Sequence, residues 1–326
     1  MEALDETIVL GSGTYRYEPL AEWAKLPAGW TLGEVPSIAI DDCDRVYVFN
    51  RGDRPLMVFD RDGNFLDSWG EDLFLKPHGL HIGPDQSIYC TDEGTHTVTK
   101  CTLDGKVLLR IGVPNQPAPR MSGKPFNRCT HTALSPSGDI YVSDGYGNAA
   151  VHKYSPDGKY LMSWGGSGSD PGQFNLPHKI ACDDDGWVYV VDRENHRVQI
   201  FDGDGRYETQ WNNLHRPGGM YMLGRKDPLF FLGELPPHLA HNRENPNLGP
   251  RISIVHRGKL VGRVDSLDGP GNGLGQFTSP HGLAVDGRGD IYVGQVTRST
   301  WPLLFPGRDL PANPTMLKKL RRLPAA

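Results

Sequence analysis

One pattern recurs along this chain and limits its fold more than any single motif. A short apolar run leads through a DG-type turn to a β-rich run ending in Asp or Asn, and two further strand signals follow. The clearest copies are 176–212 (LPHKIACDDDGWVYVVDRENHRVQIFDGDGRYETQWN) and 128–165 (RCTHTALSPSGDIYVSDGYGNAAVHKYSPDGKYLMSWG). Segments 76–112 and 35–70 repeat it, 279–296 opens another copy, and 216–234 is degenerate. The residue after each Pro or Thr at the start of a copy serves as a marker. The markers are Ser37, His78, His131, His178, Gly218 and His281, spaced 41, 53, 47, 40 and 63 apart. Four short antiparallel strands per ~40–50 residues is the period of a propeller blade.

The expected fold is therefore an all-β, six-bladed β-propeller in one domain. Its blades are placed at about 35–70, 75–112, 127–165, 176–212, 215–265 and 279–323. The last blade lacks an outer strand, and residues 14–26 (TYRYEPLAEWAKL) are placed to supply it and close the ring, which removes exposed sheet edges. DG pairs at 62–63, 104–105, 157–158 and 204–205 read as hairpin turns. The 40 Gly and 27 Pro make about a fifth of the chain, against roughly an eighth on average. This excludes coiled coils and helical bundles, and other β-solenoids are the alternative architecture.

The innermost strand of each blade lines the central channel. His78, His178 and His281 fall in blades 2, 4 and 6, and alternate blades of a six-fold ring are related by three-fold symmetry. Three imidazoles then converge on one axial point, a donor set suited to a catalytic divalent transition metal. Zinc is the expected ion, with iron, manganese and cobalt left open. His131 reads into the same register but breaks the alternation, so it is assigned a contact behind the metal ligands or with the substrate.

A second ring lies just after the second strand of each blade, where the chain turns at a channel mouth. It reads Arg51, Glu93, Tyr146, Arg193, Glu234 and Val296. An arginine pair suits bidentate capture of a carboxylate. Tyr146, beside cations and a metal, suits a base. His96 and His196 read as turn residues, and Trp69, Trp164 and Trp211 as packing between blades.

The net charge of −5 gives no field for nucleic acid. The basic cluster Lys318, Lys319, Arg321 and Arg322 reads as an exposed strand face. No stretch approaches the ~18 apolar residues of a membrane span. The N-terminus (MEALDETIVLGSG) carries acids where a leader needs bases. The five cysteines lack CxxC spacing and read as reduced core residues. A cytoplasmic protein acting on a small carboxylated molecule is expected, with its oligomeric state open.

The motifs also carry a resemblance. DRENHRVQIF and its siblings resemble NHL repeats. KPHGL, SDGYGN, FNLPHKIA, VDRENHRVQ and SPHGLAV, in that order across about 35–295, resemble the core of peptidyl-α-hydroxyglycine α-amidating lyases. The resemblance implies a six-bladed propeller holding zinc through His78, His178 and His281. It matches the family's catalytic tyrosine to Tyr146 and its two arginines to Arg51 and Arg193. It implies cleavage of the N–Cα bond of a carbinolamide, giving an amide and glyoxylate. The family's Asp beside its structural calcium is Gly282 here, and Ser279 replaces a usual Met, which puts calcium in doubt. The family's animal disulfide positions are Asn127 and Gly147 here.

Glu93, Glu234 and His131 have no counterpart in that family's site. They keep open a metal-dependent hydrolase or hydratase with Glu93 or Glu234 as base. A non-catalytic NHL interaction module is a third reading. Two inserts, 235–250 and 297–316, are placed to form a lid, the first carrying His238 and His241.

Overall fold

In the computed structural model, which describes residues 8–245 and 247–325, six antiparallel sheets succeed one another around an axis. Residues 1–7, part of the acidic N-terminal stretch read above, lie outside the described residues. Blade 2 is representative: Pro77–Ile82, Ile88–Asp92, Thr97–Cys101 and Val107–Ile111 pair in sequence order. Its second strand is buried throughout, because sheets pack against both of its faces. Its fourth strand is mostly exposed, as an outer edge must be.

Blade 1 is built on Ser37–Ile40, blade 3 on Cys129–Leu134, blade 4 on Pro177–Cys182 and blade 5 on Pro217–Leu223. In blade 6 the inner strand Pro280–Val285 is followed by Ile291–Gln295 and Leu317–Arg322. The N-terminal strand Tyr15–Leu20 then pairs with Leu317–Arg322, with Tyr17 opposite Arg322 and Pro19 opposite Leu320. This is the expected closure, though the strand ends at Leu20. An additional strand, Leu10–Ser12, makes this sheet five-stranded.

The core consists of apolar layers between neighbouring blades. Phe49, Phe59, Phe201 and Phe231 are essentially fully buried there. Each contributes roughly 1.5–3 kcal/mol relative to an exposed ring. The tryptophans clamp successive blades: Trp69 packs on Gly105 and Trp164 on Gly205, both at DG turns of the following blade. Trp69 also donates its indole N–H to Leu103 O, at 3.2 Å.

Two expectations fail at the surface. Lys318 and Lys319 are buried, because their stems cross the sheet and their ammonium groups reach carbonyls. Lys318 Nζ donates to Gly273 O at 2.7 Å, and Lys319 Nζ to Arg61 O at 3.0 Å. Burial lowers the Lys318 pKa to about 8. Cys43 is exposed at a turn, whereas Cys90, Cys101, Cys129 and Cys182 are buried thiols, and none is in a disulfide. Among the described residues no helix is long and apolar enough to cross a membrane.

Candidate active site

The strand pairing fixes which residues are equivalent around the channel. Pro77 faces Asp92, Cys129 faces Asp144, Pro177 faces Asp192, Pro217 faces Glu234 and Pro280 faces Gln295. One residue further along, the equivalents are His78, Thr130, His178, Gly218 and His281. In blade 1 Ser37 faces Phe49, so Pro36 occupies that place. The markers Ser37 and His131 were therefore each one residue out of register, misled by the Pro-Ser and Thr-His pairs.

The corrected ring explains the triad. His78 Nδ1 lies 2.7 Å from Thr130 O, His178 Nδ1 2.6 Å from Gly218 O and His281 Nδ1 2.8 Å from Pro36 O. A carbonyl only accepts, so each Nδ1 carries the proton and donates. Each even blade thus supplies an imidazole, and each odd blade supplies the carbonyl that orients it. The tautomer leaves every Nε2 with a free lone pair, the arrangement that metal-binding histidines take from their outer hydrogen bonds. The ring centroids lie 4.6–5.0 Å apart. One nitrogen from each ring falls within 4.8 Å of the others, and the three can hold a metal ion.

The electrostatics agree. Burial, then neighbouring positive charge, pushes all three imidazole pKa values well below 6.5, with Lys179 a contributor in each case. The imidazoles are therefore neutral at neutral pH, with only Nδ1 protonated. Tyr146 Oη stands 3.2 Å from His78 Nε2 and 3.1 Å from His178 Nε2. Arg193 Nη1 donates to that oxygen at 3.4 Å. The loop carrying Tyr146 requires Gly145, where an added Cβ would lie 2.0 Å from Pro177 O of the next blade.

His131 is not with the triad. It lies one residue deeper, level with Lys179, with its ring nitrogens 3.3 Å from Ile180 O and 3.2 Å from Leu80 O. It borders a cavity of about 330 Å³ at the opposite channel mouth. Lys179 is buried beneath the triad, and its Nζ donates to Ser37 Oγ at 3.1 Å and Pro36 O at 3.4 Å. Burial and then the Arg51 charge lower its pKa to about 7. This layer, Ser37, Gly79, His131, Lys179, Gly219 and Gly282, contains no carboxylate, and an added Cβ on Gly282 would lie 2.9 Å from Ser37 Cα. It does not fit calcium, which takes six to eight oxygen ligands.

Glu234 also leaves the mouth ring, because Leu235 occupies the place equivalent to Arg51. Glu234 is the counterpart of Asp92, Asp144 and Asp192, which cap the loop entering each blade. It is fully buried, accepting from His215 N at 2.8 Å and Arg251 Nη2 at 3.0 Å, and from Ser253 Oγ. Glu93 does reach the mouth and is 2% exposed. It accepts from Arg51 Nη2 at 2.9 Å and Arg128 Nη2 at 2.6 Å, with Lys76 Nζ at 3.1 Å.

Arg128, Arg216 and Glu194 are mouth residues that sequence reasoning missed. Arg128 and Arg216 begin their blades in left-handed backbone, at φ 63° and 43°. Their N–H groups donate to Nδ1 of the turn histidines His96 and His196, at 3.0 and 3.2 Å. The DRENH repeat and its partner EGTH contained that signal. The Arg128 guanidinium lies 4.8 Å from the Tyr146 ring and that of Arg193 lies 5.5 Å from it. Behind Arg193 stands Glu194, at 2.7 Å, which Arg216 grips in turn at 2.8 and 3.0 Å. Burial raises the Glu194 pKa, but Arg216 and Arg193 outweigh it and bring it down to about 2.

The inserts flank the same mouth. The helix Thr297–Leu304 donates Ser299 N–H to Glu34 at 2.6 Å, and Pro236 O accepts from Arg216 Nη1 at 2.6 Å.

Comparison with known proteins agrees with the fold. The NHL repeat model matches residues 174–201. NHL repeat-containing protein 3 of Homo sapiens is 34% identical over 84% of this chain and 80% of its own length. Peptidyl-alpha-hydroxyglycine alpha-amidating lyase 1 of Drosophila melanogaster is 29% identical over 81% of this chain and 56% of its own length. This chain spans about a third of the peptidyl-glycine alpha-amidating monooxygenase of Mus musculus, to which it is 27% identical over 94% of the chain. A gluconolactonase structure from Xanthomonas campestris shares the fold with a TM-score of 0.58 and 12% identity, over 97% of this chain and 95% of that one. The chain belongs to the NHL repeat-containing family of NHL repeat-containing protein 3, and it is similar to the peptidyl-α-hydroxyglycine α-amidating lyases.

Proposed function

We propose that the protein is a metal-dependent carbon–nitrogen lyase. Its substrate is a small carboxylated carbinolamide, R–CO–NH–CH(OH)–COO⁻, and its products are an amide and glyoxylate. The observation that carries this reading is Tyr146 Oη placed against two of three histidine nitrogens whose Nδ1 protons are pinned to carbonyls. The lyase names of relatives support it.

A divalent cation held by His78, His178 and His281 would act as a Lewis acid, making a substrate hydroxyl more acidic. Tyr146, as a phenolate stabilised by the Arg193 N–H and the Arg128 guanidinium, takes the hydroxyl proton and becomes the neutral phenol. The carbon–oxygen bond becomes a carbonyl as the carbon–nitrogen bond breaks. The departing nitrogen recovers a proton from Tyr146. Arg193 Nη2 has no protein partner among the described residues and faces the substrate carboxylate. Arg51 donates to Pro77 O, Glu34 and Glu93, at 2.9–3.1 Å. Its remaining N–H groups and its charge act on that same carboxylate.

The hydrolase alternative needs a free carboxylate base. Glu93 is held by three cations and Glu234 is sealed among its own donors, so neither suits that role. The test is glyoxylate release from α-hydroxyhippurate by the zinc-loaded protein. Tyr146→Phe should lower kcat by ~100-fold or more. Absence of stoichiometric metal, or hydrolysis of an ester or lactone with no glyoxylate, sinks the reading.

A further inference from the structure

The mouth carries more positive charge than its own carboxylates neutralise. Arg51, Lys76, Arg128, Arg193 and Arg216 face Glu34, Glu93 and Glu194, five cations against three anions, in a protein of net charge −5. One substrate carboxylate leaves one positive charge unmatched.

The geometry identifies where that charge is available. Two parallel relays end on Tyr146. On one side Arg193 is backed by Glu194, which Arg216 holds. On the other Arg128 is backed by Glu93, which Arg51 holds. Arg216 is used up by a bidentate pair and a carbonyl. Arg51 has carboxylates on both Nη atoms. Arg128 differs: its Nε and Nη2 both turn back to Glu93 Oε2, at 3.2 and 2.6 Å. Its Nη1 has no protein partner among the described residues, and its side chain is 40% exposed. Lys76, 46% exposed, shares the same carboxylate. A fixed guanidinium edge, anchored behind and open in front, is a receptor for an anion.

We infer that Arg128, with Lys76 beside it, binds a second anionic group of the substrate, so that the preferred substrate is a dianion. Its acyl portion then bears an acid close to the amide. This rests on the carbinolamide reading, in which Arg193 and Arg51 take the first carboxylate. Arg128 and Arg193 approach the Tyr146 ring as separate guanidinium groups, at 4.8 and 5.5 Å, so a carboxylate held by Arg193 leaves the open edge of Arg128 available.

Unreactive glycine amides test the inference without turnover. N-succinylglycine and N-butyrylglycine have the same backbone, and only the former carries the second carboxylate. Calorimetric titration of the zinc-loaded chain should show N-succinylglycine binding about tenfold tighter or better, as expected for one added charge-assisted contact. Raising the salt concentration should shrink the difference. Arg128→Ala should bring the two affinities together, and Arg128→Lys should restore part of the gap. A loss of fold in Arg128→Ala would remove binding of both ligands. Lys76→Ala, at a more exposed position, then provides the second reading, a gap reduced but not erased. Equal affinities in the unsubstituted chain overturn the inference, as does a gap that survives both Arg128→Ala and Lys76→Ala, or binding of neither ligand. Failure of glyoxylate release with the dianion preference intact would instead refute the lyase reading and leave the anion cleft standing.

Discussion

Glu93→Gln separates the base role that sequence reasoning left open for this residue from the charge-neutralising role that its contacts give it. The side chain is buried, and it neutralises Arg51, Arg128 and Lys76 at 2.9, 2.6 and 3.1 Å. Breaking a buried ion pair from one side costs about 3–5 kcal/mol, because the partner keeps an uncompensated charge. That figure applies most fully to Arg51, whose side chain is 16% exposed and which retains Glu34. Arg128 and Lys76 are more than a third exposed, so solvent screens their loss to below ~1 kcal/mol each. Because Glu34 still neutralises Arg51 and so offsets much of that cost, the expected destabilisation is about 2–3 kcal/mol. With an unfolding entropy of about 2.1 cal/mol/K per residue, a chain of this length loses ~1.5 °C per kcal/mol, so Tm should fall by roughly 3–5 °C. Calorimetry measures the shift, and steady-state glyoxylate assays measure its companion, a rise in KM larger than the fall in kcat. A general base would behave oppositely. If Glu93→Gln keeps the original Tm and loses ~1,000-fold in kcat at unchanged KM, the electrostatic assignment is wrong.

The other pKa shifts give dated signatures in pH. Glu194 is held at about 2, below its ordinary 4.5, so its contribution is complete above pH ~5 and declines as pH falls toward 2. The stability gap between the unsubstituted chain and Glu194→Gln, up to ~3 kcal/mol by urea titration, should shrink over that window; a pH-independent gap contradicts it. Lys179 is lowered from 10.5 to about 7 by burial, so the folded state resists its protonation and stability falls as pH drops from 10.5 to 7. Lys179→Met should therefore stabilise the fold by a few kcal/mol at pH 7 and by little above pH 10.5, and a loss of Tm at pH 7 refutes this. His178→Ala should abolish stoichiometric zinc binding by elemental analysis. In the unsubstituted chain zinc should stay bound through pH 6.5, because the depressed imidazole pKa values delay proton competition, and release centred at 6.5 would contradict the buried triad.

The period, the DG turns and the Pro-His pairs made the ring and its triad legible, because each is a local pattern repeated at a fixed spacing. What escaped was register to within one residue. The bulged pairings between Cys129 and His131 and between Pro77 and Gly79 shift facing partners near the mouth. A marker such as Thr130-His131 resembles Pro77-His78 by eye yet sits one place deeper, and in the degenerate copy LFFLGE the acid at the capping place reads as the first residue past the strand. Arg128 and Arg216 escaped for a different reason. Nothing in their own neighbourhoods marks them, and they become visible through His96 and His196, which lie in the preceding blade and accept their N–H groups. Lys318 and Lys319 escaped because composition cannot tell a solvated lysine from one whose stem is buried and whose ammonium meets a carbonyl.

Six blades sharing one inner-strand place could have presented six side chains to the axis, and the division of labour explains why only three are histidines. A fourth or fifth imidazole would have to stand where Thr130, Gly218 or Pro36 now contribute carbonyls. Those carbonyls fix the proton on Nδ1 and thereby direct the lone pair of Nε2. A histidine at Gly218 would leave that carbonyl in place but crowd its ring against Leu235, whose side chain already lies 2.7 Å from where a Cβ would be. Steric room at Gly218 therefore favours the alternation. Even blades supply the imidazoles and odd blades aim them, so the pattern Pro36, His78, Thr130, His178, Gly218, His281 carries more chemical information than the three histidines alone.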